Sequence, residues 1–123
     1  IFTNGDVRHA EKTLAALGFE PFFDSMFDII ASDFVPKPDR KPYEKFLREH
    51  GVHPHSASMF EDMPRNLMVP KEMGMVTVLV IPRNGAAPST EYWEIAGKDD
   101  PHIDHVTDHI DLFLENLLEE LQK

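Results

Sequence analysis

The sequence predicts an α/β fold in which a parallel sheet carries helices on its faces. Three observations predict it. Short apolar runs alternate with amphipathic stretches in the order β-α-β-α-β-α-β. Glycines stand where the helical stretches should close, at Gly18, Gly51 and Gly74. The run "MVTVLVIP" (75–82) is β-branched, apolar and stopped by Pro82, as a buried strand would be.

Each element has a local reason. "IFTNGD" reads as the end of a strand and a Gly-containing turn, with Asp6 placed to cap the helix after it. "VRHAEKTLAALG" spaces Val7, Ala10, Leu14 and Leu17 helically. "FDIIAS" (27–32) has the length and apolarity of a second strand. "VPKPDRKP" (35–42) holds three prolines and reads as a loop, with Pro42 suited to the first turn of a helix. "YEKFLREHG" then puts Tyr43, Phe46, Leu47 and His50 on one face. "SASMF" (56–60) is the third strand, and Pro64 opens a helix that Pro70 should bend or shorten. After the strand at 75–82, "RNGAAPST" is a loop and "EYWEIAGKDDPHIDH" is irregular and polar, with Tyr92 and Trp93 as packing anchors. "HVTDHIDLFLENLLEELQ" begins as a strand or turn. It becomes an amphipathic helix through Ile110, Phe113, Leu114, Leu117, Leu118 and Leu121, with Asp108 as its expected N-cap.

The bulk numbers narrow the function. The chain has 123 residues, enough for one domain with a real core, and neither a repeat nor a linker divides it. Its net charge of −10 argues against a nucleic-acid polymer or an anionic membrane as the main partner. A phosphorylated small molecule could still be held by a few local cations and backbone N–H groups. The absence of cysteine suits a cytoplasmic setting. The longest fully apolar run, Val78 to Ile81, is far too short to span a membrane. The chain opens without Met on what looks like a strand already under way, so a segment upstream of Ile1 is expected.

"MFEDMPRN" (59–66) asks for an explanation. Glu61 and Asp62 stand side by side where a buried strand should end. A solvated turn is the ordinary reading of such an acid pair, and a metal site is the sharper one. Ligands in open parallel α/β sheets bind at the carboxyl ends of strands. Thr3 and Asn4 end the first strand and Lys37 follows the second. Taken singly, Thr3 reads as a strand-end hydroxyl and Lys37 as a loop lysine that Lys41 rivals. Taken together they form a phosphate-plus-cation set: a hydroxyl and N–H groups for phosphoryl oxygens, a compact cation, and carboxylates for a hard metal. His102, His105 and His109 are spaced three and four apart, but a solvated turn and helix cap explain them better than a metal. His9 is expected on a helix surface.

These stretches resemble the haloacid dehalogenase (HAD) superfamily of aspartate-nucleophile phosphohydrolases, and most closely its pyrimidine 5′-nucleotidase-like branch. "IFTNGDVRHAEKTLAALG" is similar to its second motif, "PKPDRKPYEKFL" to its third, and "MFEDMPRNL" with "EMGMVTVLV" to its fourth. "DPHIDHVTDHI" resembles the branch's C-terminal stretch. The resemblance implies a Rossmann-like three-layer sandwich with a parallel sheet. It implies that Thr3 and the Asn4 backbone N–H bind a phosphoryl group and that Lys37, rather than Lys41, steadies it. Asp62 would bind Mg²⁺ directly, with Glu61 beside it or acting through water, and Asn66 would support that carboxylate. The implied activity is Mg²⁺-dependent phosphomonoester hydrolysis of nucleoside 5′-monophosphates through an aspartyl-phosphate.

One departure bears on all of this. The family's first motif is an Asp-x-Asp pair, and these 123 residues contain none. That pair, the strand carrying it and the substrate-selecting cap are therefore expected upstream of Ile1, and residues 1–123 alone are expected to be inactive and unstable. The rival readings are a non-catalytic phosphate- or Mg²⁺-binding remnant, a subunit completed by another chain, a receiver-type signalling domain, or a dehalogenase. The order Thr, Lys, acids disfavours a receiver, and the acid pair disfavours a dehalogenase, whose reaction needs no metal.

Overall fold

The computed structural model describes residues 1–83 and 100–123. Its contacts group into two units, Ile1–Val52 and His53–Lys123. "RNGAAPST" beyond Arg83 and the Tyr92–Trp93 pair lie outside the described residues.

In the first unit the chain starts extended. Phe27 N–H donates to the Ile1 carbonyl at 2.8 Å and Thr3 N–H to the Phe27 carbonyl at 3.0 Å, forming an isolated parallel bridge between Phe2 and Phe27. Helix α1, Val7–Leu17, begins where the Asp6 carboxylate accepts the His9 N–H at 2.8 Å and ends at Gly18, which is left-handed at φ 71°. His9 is exposed on it, as its sequence position suggests. A 3₁₀ turn, Glu20–Phe22, leads back toward Phe27. Helix α2, Arg40–His50, is capped by Asp39 and closed by Gly51, with Pro42 in its first turn.

The core of this unit is aromatic. Phe2 meets Phe27 and Tyr43 edge-on at 5.1 and 5.3 Å and stacks on Phe46 at 5.3 Å. Phe27 and Tyr43 are essentially fully buried. Edge-to-face pairs place a ring's positive edge on another's negative face, which adds to the burial of apolar area.

"FDIIAS" does not continue as a strand. Only Phe27 pairs, and residues 29–34 turn. Asp28 is the reason: its carboxylate accepts N–H groups from Ala31 at 2.8 Å and Val7 at 3.0 Å. A side chain that supplies an acceptor to nearby N–H groups offers the backbone an alternative to a ladder. The Ala31 N–H, then the Val7 N–H, hold the Asp28 carboxyl below the usual aspartate value against the opposing effect of burial.

The second unit contains a three-stranded parallel sheet in the order β1 (Ser58–Glu61), β2 (Val76–Val80), β3 (His105–Thr107). Phe60 is in register with Val78, and Val78 with His105. A 3₁₀ turn, Pro64–Leu67, and a short helix α3, Met68–Met73, connect β1 to β2. Pro70 falls in its first turn, where its missing N–H costs nothing, and Gly74 at φ 100° ends it. Any side chain at Gly74 would be strained by that φ and would collide with the His55 ring. Leu67, Val78, Leu79 and Thr77 form the buried centre. The alternation of strand and helix and the parallel pairing make the architecture α/β, with the parallel sheet of a Rossmann-like core.

Helix α4, Ile110–Leu121, follows β3. Asp108 does not cap it. The N-cap is His109, which makes no side-chain capping bond, and the Asp108 carboxylate pairs with His109 Nδ1. Phe113 packs edge-on against Phe60 at 5.8 Å, whereas Leu114, Leu117, Leu118 and Leu121 are exposed.

A polar lock pins the segment before β3. Asp104 Oδ2 accepts the Thr77 N–H at 2.9 Å, Asp104 N–H donates to Thr77 Oγ1 at 3.0 Å, and Thr77 Oγ1 donates to the His102 carbonyl. Lys71 Nζ pairs with Asp104 Oδ1. Lys71, then the Thr77 N–H, hold the Asp104 carboxyl below its ordinary value near 3.8. A carboxylate lowered in the folded state stabilises above the unfolded pKa, and that contribution is lost as pH falls through the folded pKa. Thermal melts of the intact protein should therefore lose stability more steeply below about pH 4 than melts of Asp104→Asn. Parallel acid profiles for the two would show that the lock contributes nothing.

Candidate functional site

Two groups of the residues expected at a site are each assembled, one within each unit. The first consists of Thr3, Asn4 and Lys37. The turn after Phe2 brings the Gly5 N–H to Thr3 Oγ1 at 3.0 Å, and a Cβ at Gly5 would press on that oxygen at 3.3 Å. The hydroxyl accepts from Gly5 and so keeps its own proton to donate. Asn4 reaches across 33 residues to the proline loop. Its Oδ1 accepts the Lys37 N–H at 2.9 Å and its Nδ2 donates to the Lys37 carbonyl at 3.2 Å.

Lys37 is 8% exposed. Its Nζ donates to the Phe2 carbonyl at 2.8 Å and lies 4.7 Å from the centroid of the Phe2 ring. Lysine is seldom buried to this degree without partners; here a strand-end carbonyl and an aromatic face receive the ammonium. Lys41, in the first turn of α2, is exposed. The loop lysine that the family resemblance singles out is thus the one held inside, next to the strand end that carries Thr3.

The second group consists of Glu61, Asp62 and Asn66. Glu61 ends β1 and is buried. Its Oε2 accepts the N–H groups of Asp62 at 2.9 Å and Met63 at 3.0 Å, and its Oε1 accepts from Asn66 Nδ2 at 3.0 Å. Asp62 is exposed at the carboxyl end of the strand. The two adjacent acids therefore differ. Glu61 organises the turn, with Asn66 supporting it from the 3₁₀ turn, and Asp62 is the exposed member of the pair. An exposed carboxylate on a fixed turn suits a hard cation, which takes oxygen ligands and retains water. Among the described residues no cluster of three or more His, Cys, Asp or Glu could hold a metal, so an ion at Asp62 would draw its other oxygens from water, substrate or further protein.

The histidine run makes no such cluster. His102 Nε2 contacts the Pro64 carbonyl at 2.9 Å, His105 lies tilted against Phe113 at 5.7 Å, and His109 pairs with Asp108. Two side chains that shape the first group, Asp28 and Asn4, do not stand out in the sequence for those roles. An acid inside an apolar run is the signal that could have marked Asp28. Nothing local marks the Asn4 side chain, because its partners are far along the chain. Among the described residues, no helix is long and apolar enough to cross a membrane.

Comparison with known proteins bears on the whole arrangement. Residues 1–80 match the profile of the haloacid dehalogenase-like hydrolase family. The chain is also similar to "Enolase-phosphatase E1" of Aquifex aeolicus (strain VF5), at 31% identity over 91 residues, which is 74% of this chain. It spans 34% of that relative's length, about a third. The matched residues 1–80 take in Thr3, Asn4, Lys37, Glu61, Asp62 and Asn66. The chain belongs to the haloacid dehalogenase-like hydrolase family.

Proposed function

We propose that the protein is a magnesium-dependent phosphomonoesterase acting through an aspartyl-phosphate, with nucleoside 5′-monophosphates, pyrimidine ones foremost, as its substrate class. The observation that carries the reading is Lys37, a buried loop lysine whose ammonium is tied to the carbonyl next to Thr3. A solvated loop lysine would have no reason to be held there.

The family resemblance implies the roles, and donor chemistry suits them. The Thr3 hydroxyl and the Asn4 N–H donate to phosphoryl oxygens, and Lys37 balances their charge. Asp62 would hold a magnesium ion, with Glu61 behind it holding the turn. Bound magnesium offsets the negative charge on the phosphoryl oxygens. An aspartate outside residues 1–123 attacks phosphorus, the ester oxygen leaves with the alcohol, and water then hydrolyses the acyl phosphate to free inorganic phosphate.

The nucleotide assignment is supported by the likeness of "DPHIDHVTDHI" to the pyrimidine 5′-nucleotidase-like branch. The similarity to an enolase-phosphatase favours a second reading, in which the phosphorylated substrate is not a nucleotide. Phosphate release by the intact protein from a panel of nucleoside monophosphates, sugar phosphates and enol phosphates separates them. Pyrimidine monophosphates should give the highest kcat/KM, and that rate should vanish with EDTA. A preference for enol phosphates would replace the first reading with the second, and no Mg²⁺-dependent release from any ester would favour a non-catalytic module.

A further inference from the structure

We propose that the Asn4 side chain is a positioning residue for Lys37, and that the buried placement of the lysine depends on it. The proposal rests on the phosphatase reading only for its catalytic consequence. The geometry stands by itself. Asn4 meets both polar groups of the Lys37 backbone, taking its N–H on Oδ1 and giving Nδ2–H to its carbonyl. A primary amide is the side chain with a donor and an acceptor side by side, so it can pair with a peptide group as a neighbouring strand would. The reciprocal pattern also fixes the amide's orientation, since a flipped Asn4 would set donor against donor and acceptor against acceptor.

The Lys37 side chain returns the connection. Its Nζ donates to the carbonyl of Phe2, two residues before Asn4. Backbone and side chain of Lys37 are thus both tied to the 2–4 segment, and the ring so closed holds the ammonium at the strand end. Pro36 and Pro38 flank Lys37, and proline nitrogens carry no proton to donate. The Lys37 N–H is therefore the donor that this stretch of loop offers, and Asn4 takes it. Without the Asn4 amide, the loop backbone at Lys37 loses both of these hydrogen bonds to the 2–4 segment.

The role differs from that of the Asn4 backbone N–H, which the family resemblance points at phosphate. A side chain acting through Lys37 should be separable from a group that touches substrate. It should also be separable from one that merely props up the fold.

Competitive amine labelling of the intact protein, read by mass spectrometry, tests this without any turnover. Lys41 is exposed and Lys45 is partly buried in an ion pair with Asp33 and Glu49, so the two serve as internal references. In Asn4→Ala, Lys37 should label about fivefold faster than in the unsubstituted protein, as expected for loss of about two partly exposed neutral hydrogen bonds, and in Asn4→Asp, which keeps an acceptor for the Lys37 N–H, the rise should be smaller. Lys41 and Lys45 should not change. An unaltered Lys37 rate in both folded variants overturns the proposal, and so does a parallel rise at Lys45, which would mean general loosening.

Turnover reads the consequence. If Asn4 acts through Lys37, Asn4→Ala should lower kcat no further in a Lys37→Met background, because residues joined in one network are not additive. Full additivity would overturn the positioning role. Should no phosphate ester be turned over at all, the labelling result still decides the clamp, and only the catalytic reading falls.

Discussion

Asp62→Asn should lower Mg²⁺-dependent phosphate release about a thousandfold and leave the fold intact. The substitution is isosteric and the position is exposed, so little packing changes. The carboxylate's charge is what disappears, and with it the strongest oxygen donor for a hard cation at the end of β1. Three decades in rate correspond to about 4 kcal/mol, the scale of a metal's contribution to offsetting transition-state charge. Asp111→Asn, which removes an equally exposed acid on α4, should cost less than about twofold, as expected for a surface charge screened by salt. Near-normal turnover in Asp62→Asn would remove it as the metal ligand. Circular dichroism and a cooperative melt would show that a loss of activity is not a loss of fold.

Lys37→Ala should lower kcat about a hundredfold, and Lys41→Ala less than about twofold. Lys37 is buried with its ammonium fixed beside Thr3, whereas Lys41 points from an exposed position in the first turn of α2. Removing Lys37 also empties the space its stem fills, so Lys37→Met is the better measure of charge alone, because it keeps most of the apolar volume. A drop shared by Ala and Met would be catalytic in origin, and one confined to Ala would be packing. A larger loss at Lys41 than at Lys37 would show that the proline loop presents the other lysine.

The features legible in the sequence are those decided over a few residues. Asp6 caps its helix, and Gly18, Gly51 and Gly74 end theirs, because the partners lie within one turn. The strand at Val76–Val80 was legible because β-branched apolar residues suit a buried pleat, and the turn that Pro64 opens because proline suits a first helical turn. What escaped was decided at a distance. Asp28 diverts "FDIIAS" from a strand in part by taking the Val7 N–H, 21 residues away. Asp108 pairs with the His109 ring instead of capping, and the N-cap falls one residue later, at His109. The candidate site divides in the same way. The family resemblance could choose Lys37 over Lys41, but the amide that holds it comes from Asn4, 33 residues earlier. Adjacent acids at a strand end could be read as a pair. Their difference, with Glu61 turned into the backbone and Asp62 exposed, required the turn itself.

The central proposal is that this protein carries out Mg²⁺-dependent phosphoryl chemistry through a covalent acyl phosphate of the enzyme. The measurement that reaches it most directly needs no knowledge of the substrate. Inorganic phosphate labelled with heavy oxygen is incubated with the intact protein, and loss of label to water is followed by mass spectrometry. An enzyme that reversibly joins phosphate to a carboxylate expels one phosphate oxygen as water at each cycle and takes one back from solvent. The expected result is progressive label loss with Mg²⁺, none with EDTA, and none in Asp62→Asn. Retention of label by a folded protein saturated with Mg²⁺ would contradict it.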